Sequence, residues 1–573
     1  MQSDPGAWST VATEREVLAI ARSVPAVNRL LDVVGLFGGD DRVQVTFTVS
    51  HGSASGAGVA GLLRDAGVTR VEPWERIVTQ PDRFALTLTA SAKGQLYQAP
   101  GPLLLMPHGA GYNRLVGDVP GDLDVASGLA PQQLLHNGAV VPTRIALSHA
   151  EQQKRLEASC PQAAGRGVVV GDPSLDRMLA HLGRRDRYRH HLTVTPQQRL
   201  VAISSTWSRF SLLGSRRDMV RRLLAELPYD EYRVALIAHP NVWYQHGRAQ
   251  LELWFADEIE AGLRIIPPHE GWRAALVAAD LVVGDHGSVT YYAAALGRTV
   301  LLAAFGTEEL DPNSPLRIFG NSTRWLDPDR DLLGQLEAAA AAPTTDATAG
   351  GDLIANPGES AAPLRQLMYE LLDLPLPQGP AHYRPLPDLP RLSADVTAWR
   401  IEAETLPGAT SASGASAAKH ENPALLLRRY PAGAGGDGAQ RLLVVDAEDA
   451  VPPRWQAARA WSRTRSLPEH QAAQWMVETL SRYPRAALAA TATTAGWVLL
   501  LARDHGYVRV HGHAPPASGG PDAAIVAAVA AMWTRCGRIS PSWSRGIRVH
   551  DGTTETRLVT TPPPPNLPVL PAG

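Results

Sequence analysis

One segment of the chain, residues 264–314, limits the fold more than any other. A short apolar run at 281–283 is followed by the polar, small-residue turn 284–288, then by a helix-length stretch and a second apolar run at 299–304. Short apolar runs that alternate with helices are typical of parallel strands buried on both faces of a sheet. The segment therefore predicts a strand–helix–strand unit of an α/β domain.

The turn in this segment is a candidate phosphate site. Asp285, Gly287 and Ser288 lie between the strand and the helix. At such a position unpaired backbone N–H groups, the positive end of the helix dipole and a hydroxyl all face whatever lies above the sheet. The alternative interpretation is a simple turn in which Ser288 caps the helix. Motifs elsewhere in the chain must decide between the two.

The alternation of strand and helix runs through two successive regions. In residues 1–165, apolar runs predict strands at 17–24, 42–49, 84–90, 102–106 and 144–148. In residues 166–375, the predicted strands are 167–170, 200–204, 233–238, 263–266, 281–283 and 299–304. The two regions therefore predict a pair of Rossmann-like, doubly wound α/β domains. A cleft should lie between them, where the carboxyl ends of both sets of strands meet.

The last third of the chain has a different composition. Residues 376–439 are rich in Ala, Pro, Gly and Ser, which predicts a linker. Residues 440–560 combine apolar strands with helix-length stretches and predict a small C-terminal α+β accessory domain. The proline-rich residues 561–573 predict an extended, disordered tail.

Composition and charge narrow the class of protein. The formal net charge of −2 over 573 residues argues against a nucleic-acid binder, which needs a basic excess. The two distant cysteines, Cys160 and Cys536, predict neither a disulfide framework nor a CxxC metal site. The histidines His505, His511 and His513 lack a Cys or Glu at ligand spacing, so no metal site is predicted there.

The chain also lacks the patterns of exported and membrane-spanning proteins. Its N-terminus has neither the basic start nor the apolar core of a signal peptide, and no apolar run is long enough to span a bilayer. We therefore expect a cytoplasmic protein whose membrane contact, if it makes one, is peripheral at the inner face of the cell membrane.

Two histidines follow predicted strands. His108 stands in a His-Gly-Ala-Gly loop after an apolar run, where the glycines free the backbone for a tight turn. A neutral imidazole there can take a proton from an incoming hydroxyl, which is typically worth about 10²–10⁴ in rate. His239 ends another strand, which Pro240 interrupts. For either histidine the alternative is a purely structural hydrogen bond.

Two further loops carry groups suited to phosphate. Ser205 and Thr206 end a predicted strand and Arg209 follows them, so hydroxyls and a guanidinium are available to phosphate oxygens. Gly171 and Asp176 belong to a glycine turn that opens another helix. The alternative for this turn is a plain strand-to-helix connection.

Taken together and in this order, the motifs resemble those of the CDP-glycerol glycerophosphotransferase family, the teichoic-acid polymerases and primases with a GT-B fold. The resemblance covers residues 17–372. The matched elements are His108-Gly109, the Gly-x-Pro-x-x-Asp element from Gly171 to Asp176, Thr206-Trp207 with Arg209, His239-Pro240, and Asp285 to Ser288. Two positions differ from the family. The first loop continues to Arg114 without the family's threonine and lysine, and His286 replaces the tyrosine after the aspartate.

The resemblance implies a GT-B-like pair of domains, with the acceptor on the first and the nucleotide-diphosphate donor, such as CDP-glycerol, on the second. Glycerophosphate, a related polyol phosphate or a sugar would pass to a hydroxyl of a polyol-phosphate or glycan acceptor, in the synthesis of a bacterial cell-surface polymer. The resemblance implies His108 as the base, His239 as a second catalytic residue, and no metal or cofactor beyond the nucleotide-linked substrate. The implied donor-binding residues are Gly171, Asp176, Ser205, Thr206, Arg209, Asp285, Gly287, Ser288 and Glu308.

The sequence leaves two other functions open. A UDP-sugar 2-epimerase-like isomerase has the same two-domain organisation and needs acidic groups near the sugar, for which Glu270, Glu308 and Glu309 are the candidates. A non-catalytic nucleotide-binding protein of the GT-B fold needs only the cleft.

Overall fold

The structure is a computed structural model that describes residues 13–50, 56–115, 125–268, 270–342, 354–392, 396–406, 424–435, 441–513, 522–535, 546–551, 554–562 and 566–570. Two all-parallel sheets with intervening helices occupy the first two thirds of the chain. They confirm the predicted pair of Rossmann-like domains. Cys536 lies outside the described residues.

The first domain is built on a six-stranded parallel sheet. Its strands and a small hairpin are β1 (Arg15–Ala21), β2 (Val43–Val49), β3 (Leu86–Thr89), β4 (Leu103–Leu105), the hairpin β5 (Leu135–His136) and β6 (Ala139–Val140), β7 (Arg144–Leu147) and β8 (Gly167–Val169). Its helices are α1 (Val24–Val34), α2 (Gly56–Asp65), α3 (Trp74–Ile77), α4 (Pro131–Leu134) and α5 (Ala150–Ser159). The strand order is β2-β1-β3-β4-β7-β8. The last five residues of β1 are buried, as expected for a strand with helices on both faces.

The second domain is built on a five-stranded parallel sheet. Its strands are β9 (Arg199–Ser205), β10 (Tyr232–Ala238), β11 (Arg264–Ile265), β12 (Leu281–Gly284) and β13 (Thr299–Leu302). Its helices are α6 (Pro173–Leu179), α7 (Arg185–His191), α8 (Leu212–Ser215), α9 (Asp218–Glu226), α10 (Pro240–His246), α11 (Arg248–Trp254), α12 (Ala256–Glu260), α13 (Trp272–Ala278), α14 (Ser288–Ala295), α15 (Pro315–Ser322) and α16 (Leu332–Ala341). The strand order is β11-β10-β9-β12-β13, and every residue of β10 and β12 is buried.

The chain passes between these domains at points that differ from the predicted boundaries. Strand β8, which we assigned to the second domain, pairs with β7 in the first sheet. Helix α17 (Ala361–Leu372), at the end of the predicted second domain, returns to the first domain, and its Leu364, Leu367 and Met368 pack into the core of that domain. Apolar periodicity shows that a strand or helix is buried, but not against which sheet.

The first part of the predicted linker is a packed segment, residues 376–392, which we call the strap. Leu386 and Leu389 of the strap are buried in the core of the second domain. The backbone N–H of Leu386 donates to His181 Nε2 at 3.1 Å, and Arg177 donates to the carbonyl of Arg384 at 3.1 Å. The linker prediction is wrong for this stretch, because its prolines hold an extended chain against a surface instead of freeing it.

The C-terminal part of the chain is a closed barrel of nine strands, and not the small α+β unit that the sequence predicts. Its strands are β14 (Ala398–Leu406), β15 (Ala424–Pro431), β16 (Leu442–Asp446), β17 (Ala460–Leu467), β18 (Leu488–Thr493), β19 (Val498–Ala502), β20 (Gly506–His513), β21 (Ile547–Asp551) and β22 (Thr554–Thr561). Strands β14 and β15 lie within the predicted linker 376–439. The barrel therefore begins about 40 residues before the predicted start at residue 440.

Helices cover and fill this barrel. They are α18 (Pro452–Ala457), α19 (Glu469–Arg482) and α20 (Ala523–Arg535). Residues Ala523–Ala531 of α20 are buried on every side of the helix, among apolar residues of the strands. A helix that is apolar all round belongs in a core. Part of the predicted tail also packs here, because Leu567 and Leu570 contact the apolar cluster of α19 and Tyr507 donates to the carbonyl of Pro568 at 2.6 Å.

The barrel docks on the second domain at the end of the sheet opposite the cleft. Nε of Arg429, in β15, donates to the carboxylate of Asp230, just before β10, at 2.9 Å. The backbone carbonyl of Arg429 accepts from the N–H of Tyr229 at 2.8 Å. Arg454 pairs with Glu260 at the end of α12. Tyr229 and Trp399 pack edge to face with ring centroids 4.8 Å apart. Since these loops precede the strands, the barrel contacts the amino ends of the sheet.

Candidate active site

The cleft between the two domains contains a cavity of about 620 Å³. In each doubly wound sheet the strand order reverses once, between β1 and β3 in the first sheet and between β9 and β12 in the second. Ligands of open α/β sheets bind at these points, beyond the carboxyl ends of the strands. Residues that follow these four strands line the cavity, at 22–23, 90–93, 205–207 and 286–289. The volume lies in the range typical of small-molecule sites.

Most of the predicted site residues line this cavity. Seven of them do so: His108, His239, Ser205, Thr206, Gly287, Ser288 and Glu308. The other four, Gly171, Asp176, Arg209 and Asp285, do not. No described residue of the barrel is among the lining residues. The described walls of the cleft therefore belong to the two Rossmann-like domains.

His108 lies on the first-domain wall, at the end of the loop that follows β4. Its ring is exposed to the cavity, and the backbone of Ala90 forms a hydrogen bond with it. Partial desolvation by the walls of the cleft, helped by the charges of Arg29 and Arg114, lowers the pKa of His108 to about 4. At neutral pH the ring is uncharged, and a carbonyl partner fixes the N–H on one nitrogen. The other nitrogen is then a free base.

His239 lies on the opposite wall, and its ring presents an N–H to the cavity where His108 presents a free nitrogen. It is the N-cap of α10, and its Nδ1 accepts a hydrogen bond of 3.1 Å from the N–H of Asn241. Burial, the charge of Arg114 and the proximity of His108 lower its pKa to about 3. A neutral imidazole whose Nδ1 is an acceptor carries its proton on Nε2. His239 is therefore a hydrogen-bond donor toward a ligand, while His108 is an acceptor.

Asp285 supports the donor-side loop from below. Its carboxylate accepts from the backbone N–H groups of Thr206 at 2.9 Å, Leu212 at 2.8 Å and Gly287 at 3.0 Å. The side chain is fully buried, and burial raises its pKa against the effect of these hydrogen bonds. Asp285 thus fixes the position of the loop between β9 and α8, and Ser205 and Thr206 with it, without reaching the cavity itself.

The loops of the two domains touch at Gly109 and Ser288. A Cβ atom at Gly109 would lie 2.5 Å from Ser288 Oγ, so only a glycine leaves this approach undisturbed. Ser288 is the first residue of α14, next to the N-cap Gly287. The hydroxyl and the amino end of the helix consequently face the cleft within contact of the loop that carries His108.

The Gly171–Asp176 element lies at the joint between the domains. Asp176 accepts from the N–H groups of Gly358 and Ser360, both at 2.6 Å, and a Cβ at Gly171 would lie 3.0 Å from the carbonyl of Ala355. These contacts hold the chain as it returns to the first domain. They fit the alternative interpretation, a structural connection.

A buried ion network continues this joint at the edge of the cavity, which its members Arg273 and Tyr292 line. Asp172, the N-cap of α6, pairs with Arg29 of α1 at 2.8 Å and accepts from the Tyr292 hydroxyl at 2.9 Å. Asp32 of α1 pairs with Arg177 and, at 2.7 Å, with Arg273 of α13. The carboxylates of Asp172 and Asp32 are therefore each neutralised by arginines of the other domain.

Arg114 lines the cavity, whereas the predicted cation Arg209 does not. Arg209 is exposed and lies over the ring of Phe210 at 4.6 Å, outside the cavity. Arg114, from the first domain, lines the cavity and lies over the ring of Trp207 at 4.7 Å. Sequence reasoning noted Arg114 only as a departure from a motif. Its position six residues after His108, on the same glycine-rich loop, was the feature of the sequence that could have placed it near the cavity.

The second departure, His286, connects to Arg114 through Glu309. His286 Nδ1 accepts from the N–H of Gly306 at 2.9 Å, and its Nε2 lies 2.8 Å from Glu309 Oε2. The same carboxylate oxygen accepts from Arg114 Nη2. Burial alone would raise the pKa of Glu309, but the hydrogen bond from His286 and the charge of Arg114 outweigh it and lower the pKa to about 2. Glu309 is therefore ionised and links His286 to Arg114 through one carboxylate oxygen.

Among the described residues, no group of three or more His, Cys, Asp or Glu side chains is placed to hold a metal ion. In the same part of the chain, no helix has both the length and the apolar character needed to cross a bilayer.

Several solved structures are similar to this chain. The wall teichoic acid polymerase TagF is 12% identical over 63% of this chain and 89% of that one, with a TM-score of 0.44. A UDP-GlcNAc 2-epimerase from Neisseria meningitidis bound to UDP-GlcNAc is 12% identical over 62% and 99%, with a TM-score of 0.39. HepE from Anabaena in complex with UDP is 14% identical over 63% and 99%, with a TM-score of 0.36.

Comparisons at the level of sequence found no match. No family model and no curated protein matches the chain. The teichoic acid polymerase among the similar structures belongs to the family that the motifs resemble, and all three similarities concern the fold.

Proposed function

We propose that this protein is a transferase that moves glycerophosphate from a nucleotide-diphosphate donor such as CDP-glycerol to an acceptor hydroxyl. A related polyol phosphate or a sugar is the alternative cargo. The acceptor is a polyol-phosphate or glycan chain of a cell-surface polymer. The donor binds mainly to the second domain, and the acceptor enters from the first.

One observation carries this proposal: two neutral histidines with complementary tautomers face the same cavity from opposite domains. His108 offers a free nitrogen, and His239 offers an N–H. A transfer to a hydroxyl needs one group that removes the hydroxyl proton and another that stabilises charge on the phosphates. The loop and helix start at 286–289 add backbone donors and the Ser288 hydroxyl on the same side as His239.

For phosphoryl transfer the atoms balance as follows. The acceptor hydroxyl gives its proton to His108 while its oxygen forms a bond to the β-phosphorus of the donor. The bond from that phosphorus to the bridging oxygen breaks, and the nucleoside monophosphate leaves with the electron pair. The Nε2–H of His239 donates to a phosphate oxygen as charge grows there. Proton removal by such a base contributes about 10²–10⁴ to the rate.

The carboxylates required by an epimerase are poorly placed for that chemistry. Glu270 does not line the cavity, and Glu309 is paired with Arg114 and His286. Glu308 lines the cavity but is exposed, with the hydroxyl of Thr307 at 3.3 Å. Proton shuttling at a sugar carbon needs an acid and a base held close to it, so these positions support transfer over isomerisation.

The proposal is tested by a panel of CDP- and UDP-linked donors. A donor at 100 times its dissociation constant should raise stability by about 2.7 kcal/mol, visible as a thermal shift. With glycerol phosphate as a soluble acceptor, release of CMP indicates attack at phosphorus and release of UDP or CDP indicates attack at carbon. Stabilisation without release of any nucleotide would leave a binding protein, and no stabilisation by any donor would contradict the proposal.

A further inference from the structure

The backbone around Arg114 is hydrogen-bonded to a loop of the second domain. The Leu115 N–H donates to the carbonyl of Glu309 at 2.9 Å, and the Asp311 N–H donates to the carbonyl of Asn113 at 2.9 Å. Between them Arg114 and Leu310 form an antiparallel bridge. A loop of the first domain is thus paired with the second domain, with Arg114 at its centre.

The side chain is fixed as firmly as the backbone. Arg114 Nη2 donates to the carboxylate of Glu309 and, at 3.2 Å, to the carbonyl of Trp207, whose ring lies under the guanidinium. Both hydrogen bonds use one nitrogen, and Nε and Nη1 have no partner in the part of the chain that the structure describes. The side chain is 32% exposed and lines the cavity.

Arg114 is also close to the reacting groups. Its charge acts on both His108 and His239, which are on opposite walls, so it stands within electrostatic range of the space between them. The carboxylate at Glu309 orients it and is in turn held by His286. A cation oriented in advance, with unused donors, favours a reaction in which negative charge develops beside it.

We propose that Arg114 is a further substrate-contacting residue, whose Nε and Nη1 donate to anionic oxygens of the group held between His108 and His239, with Glu309 and His286 as its positioning residues. The inference rests on the proposed function. For a nucleotide-diphosphate donor these oxygens belong to the β-phosphate, the phosphate farther from the nucleoside. A guanidinium is suited to this role because two of its N–H groups can reach two oxygens of one phosphate.

Paired nucleotides that differ by one phosphate test the inference. The dissociation constants of CDP, CMP, UDP and UMP are measured by calorimetry for the unmodified protein, Arg114→Gln and Arg209→Gln. Arg209 is the matched control, because it is a nearby exposed arginine outside the cavity. We expect Arg114→Gln to weaken the diphosphate that binds by ~10–100-fold, with less than about 3-fold effect on the monophosphate. Arg209→Gln should leave both nearly unchanged.

The other outcomes distinguish a failure of the role of Arg114 from a failure of the transferase proposal. Equal weakening of diphosphate and monophosphate, or no weakening, would overturn the role of Arg114 and leave the transferase proposal standing. If the unmodified protein binds none of the four nucleotides, the transferase proposal fails and the inference falls with it. Arg114→Lys keeps the charge if Arg114→Gln does not fold, and it should lose part of the diphosphate affinity, since an ammonium cannot make the two parallel hydrogen bonds of a guanidinium to one phosphate.

A pH profile tests the effect of the Arg114 charge on His108, and the diphosphate affinity of a Glu309 variant tests the positioning by Glu309. Arg114, Arg29 and Lys93 all lower the pKa of His108, and the last two remain in the variants. Arg114→Gln should therefore shift the acid limb of the pH profile of kcat/KM upward. Glu309→Gln keeps Arg114 but releases it, so it should reduce diphosphate affinity by less than Arg114→Gln does. An unchanged diphosphate affinity in Glu309→Gln would show that the carboxylate does not position the arginine.

Discussion

The second domain is joined to its neighbours by an arginine at each end of its sheet, and the two arginines are used differently. At the carboxyl ends of the strands, Arg114 makes both of its hydrogen bonds through Nη2. At the amino ends, Arg429 binds Asp230 through Nε and Nη2 and binds Asp522 through Nη1 at 2.5 Å, with its guanidinium over the ring of Trp399. Each nitrogen of the Arg429 guanidinium has a partner, whereas Nε and Nη1 of Arg114 have none among the described residues.

The difference separates a contact that holds domains together from one that can also receive a ligand. A buried ion pair whose donors are all hydrogen-bonded has no donor available for a ligand, and breaking it leaves buried charges without partners. An oriented cation with unused donors on a cavity wall keeps part of its interaction energy for a substrate. We therefore expect substitutions at the barrel end to change stability and substitutions at the cleft end to change turnover.

The largest expected effect is on chemistry at the cleft end. His108→Ala should lower turnover of the donor by about 10²–10⁴, because it removes the free nitrogen that takes the hydroxyl proton. Donor affinity and unfolding midpoint should change little, since the ring is exposed to the cavity. Single-turnover kinetics and calorimetry measure the two quantities. A collapse of donor affinity with turnover retained would make His108 a binding residue.

Next in size is a loss of stability at the barrel end. Arg429→Ala should cost about 3–5 kcal/mol, because Asp230 and Asp522 are left facing each other without their cation. The shift in the urea unfolding midpoint of the barrel measures this. Arg428→Ala is the control, since Arg428 is partly exposed and makes only a long contact of 3.7 Å with Glu231 in the described part of the chain. Turnover should remain within about 2-fold in both; a large loss of turnover in Arg429→Ala would break the comparison.

A smaller effect is expected where the two domains touch in the cleft. Gly109→Ala places a Cβ against Ser288 Oγ, so the serine side chain or the loop must shift by a fraction of an ångström. We expect turnover to fall by up to ~10-fold, because groups around the reacting atoms lose their alignment. Gly165→Ala is the control, since a Cβ there meets nothing within 4 Å. Equal turnover in the two variants would show that this approach is not needed.

The smallest effect is a pH-dependent gain at the barrel end. Burial, with the charges of Asp230 and Asp522, raises the pKa of Asp551 to about 6. A raised carboxyl pKa gives stability at low pH that is lost as the pH rises through about 6. Asp551→Asn should therefore raise the thermal midpoint at pH 8, and the gain should shrink toward pH 5. The exposed Asp504→Asn should show no such trend, and an equal gain at both pH values would rule out titration of Asp551.

The sequence was most informative where a polar turn follows an apolar strand. Thr206, His239 and Ser288 were predicted at strand ends, and the parallel sheet brings those ends to one edge, so their convergence follows from topology alone. The same rule failed for Gly171 and Asp176. They follow β8, which pairs at the far edge of the first sheet. A motif gives the position of a turn along the chain, but pairing order decides whether that turn faces the cleft.

Contacts between the domains, and the pairing of distant strands that closes the barrel, could not be predicted from the sequence. Nothing in the pattern around Glu309 indicates that it joins His286 to Arg114, because the three residues come from three loops and two domains. The strap and strands β14 and β15 were predicted as linker, since proline and small residues are common to free linkers and to extended chain that packs on a surface. For the barrel, hairpins such as β19–β20 were visible, but pairing between distant strands was not.

The order of strands in the barrel has a consequence for synthesis of the protein. Residues 424–427 of β15 pair with residues 548–551 of β21, more than 120 positions later in the chain. The ring cannot close until strands β21 and β22 have left the ribosome, and until then the apolar faces of α20 have no complete enclosure. Both Rossmann-like domains can fold earlier from contacts already made. The barrel should therefore form later and more slowly than the two Rossmann-like domains, and should depend more than they do on chaperones during translation.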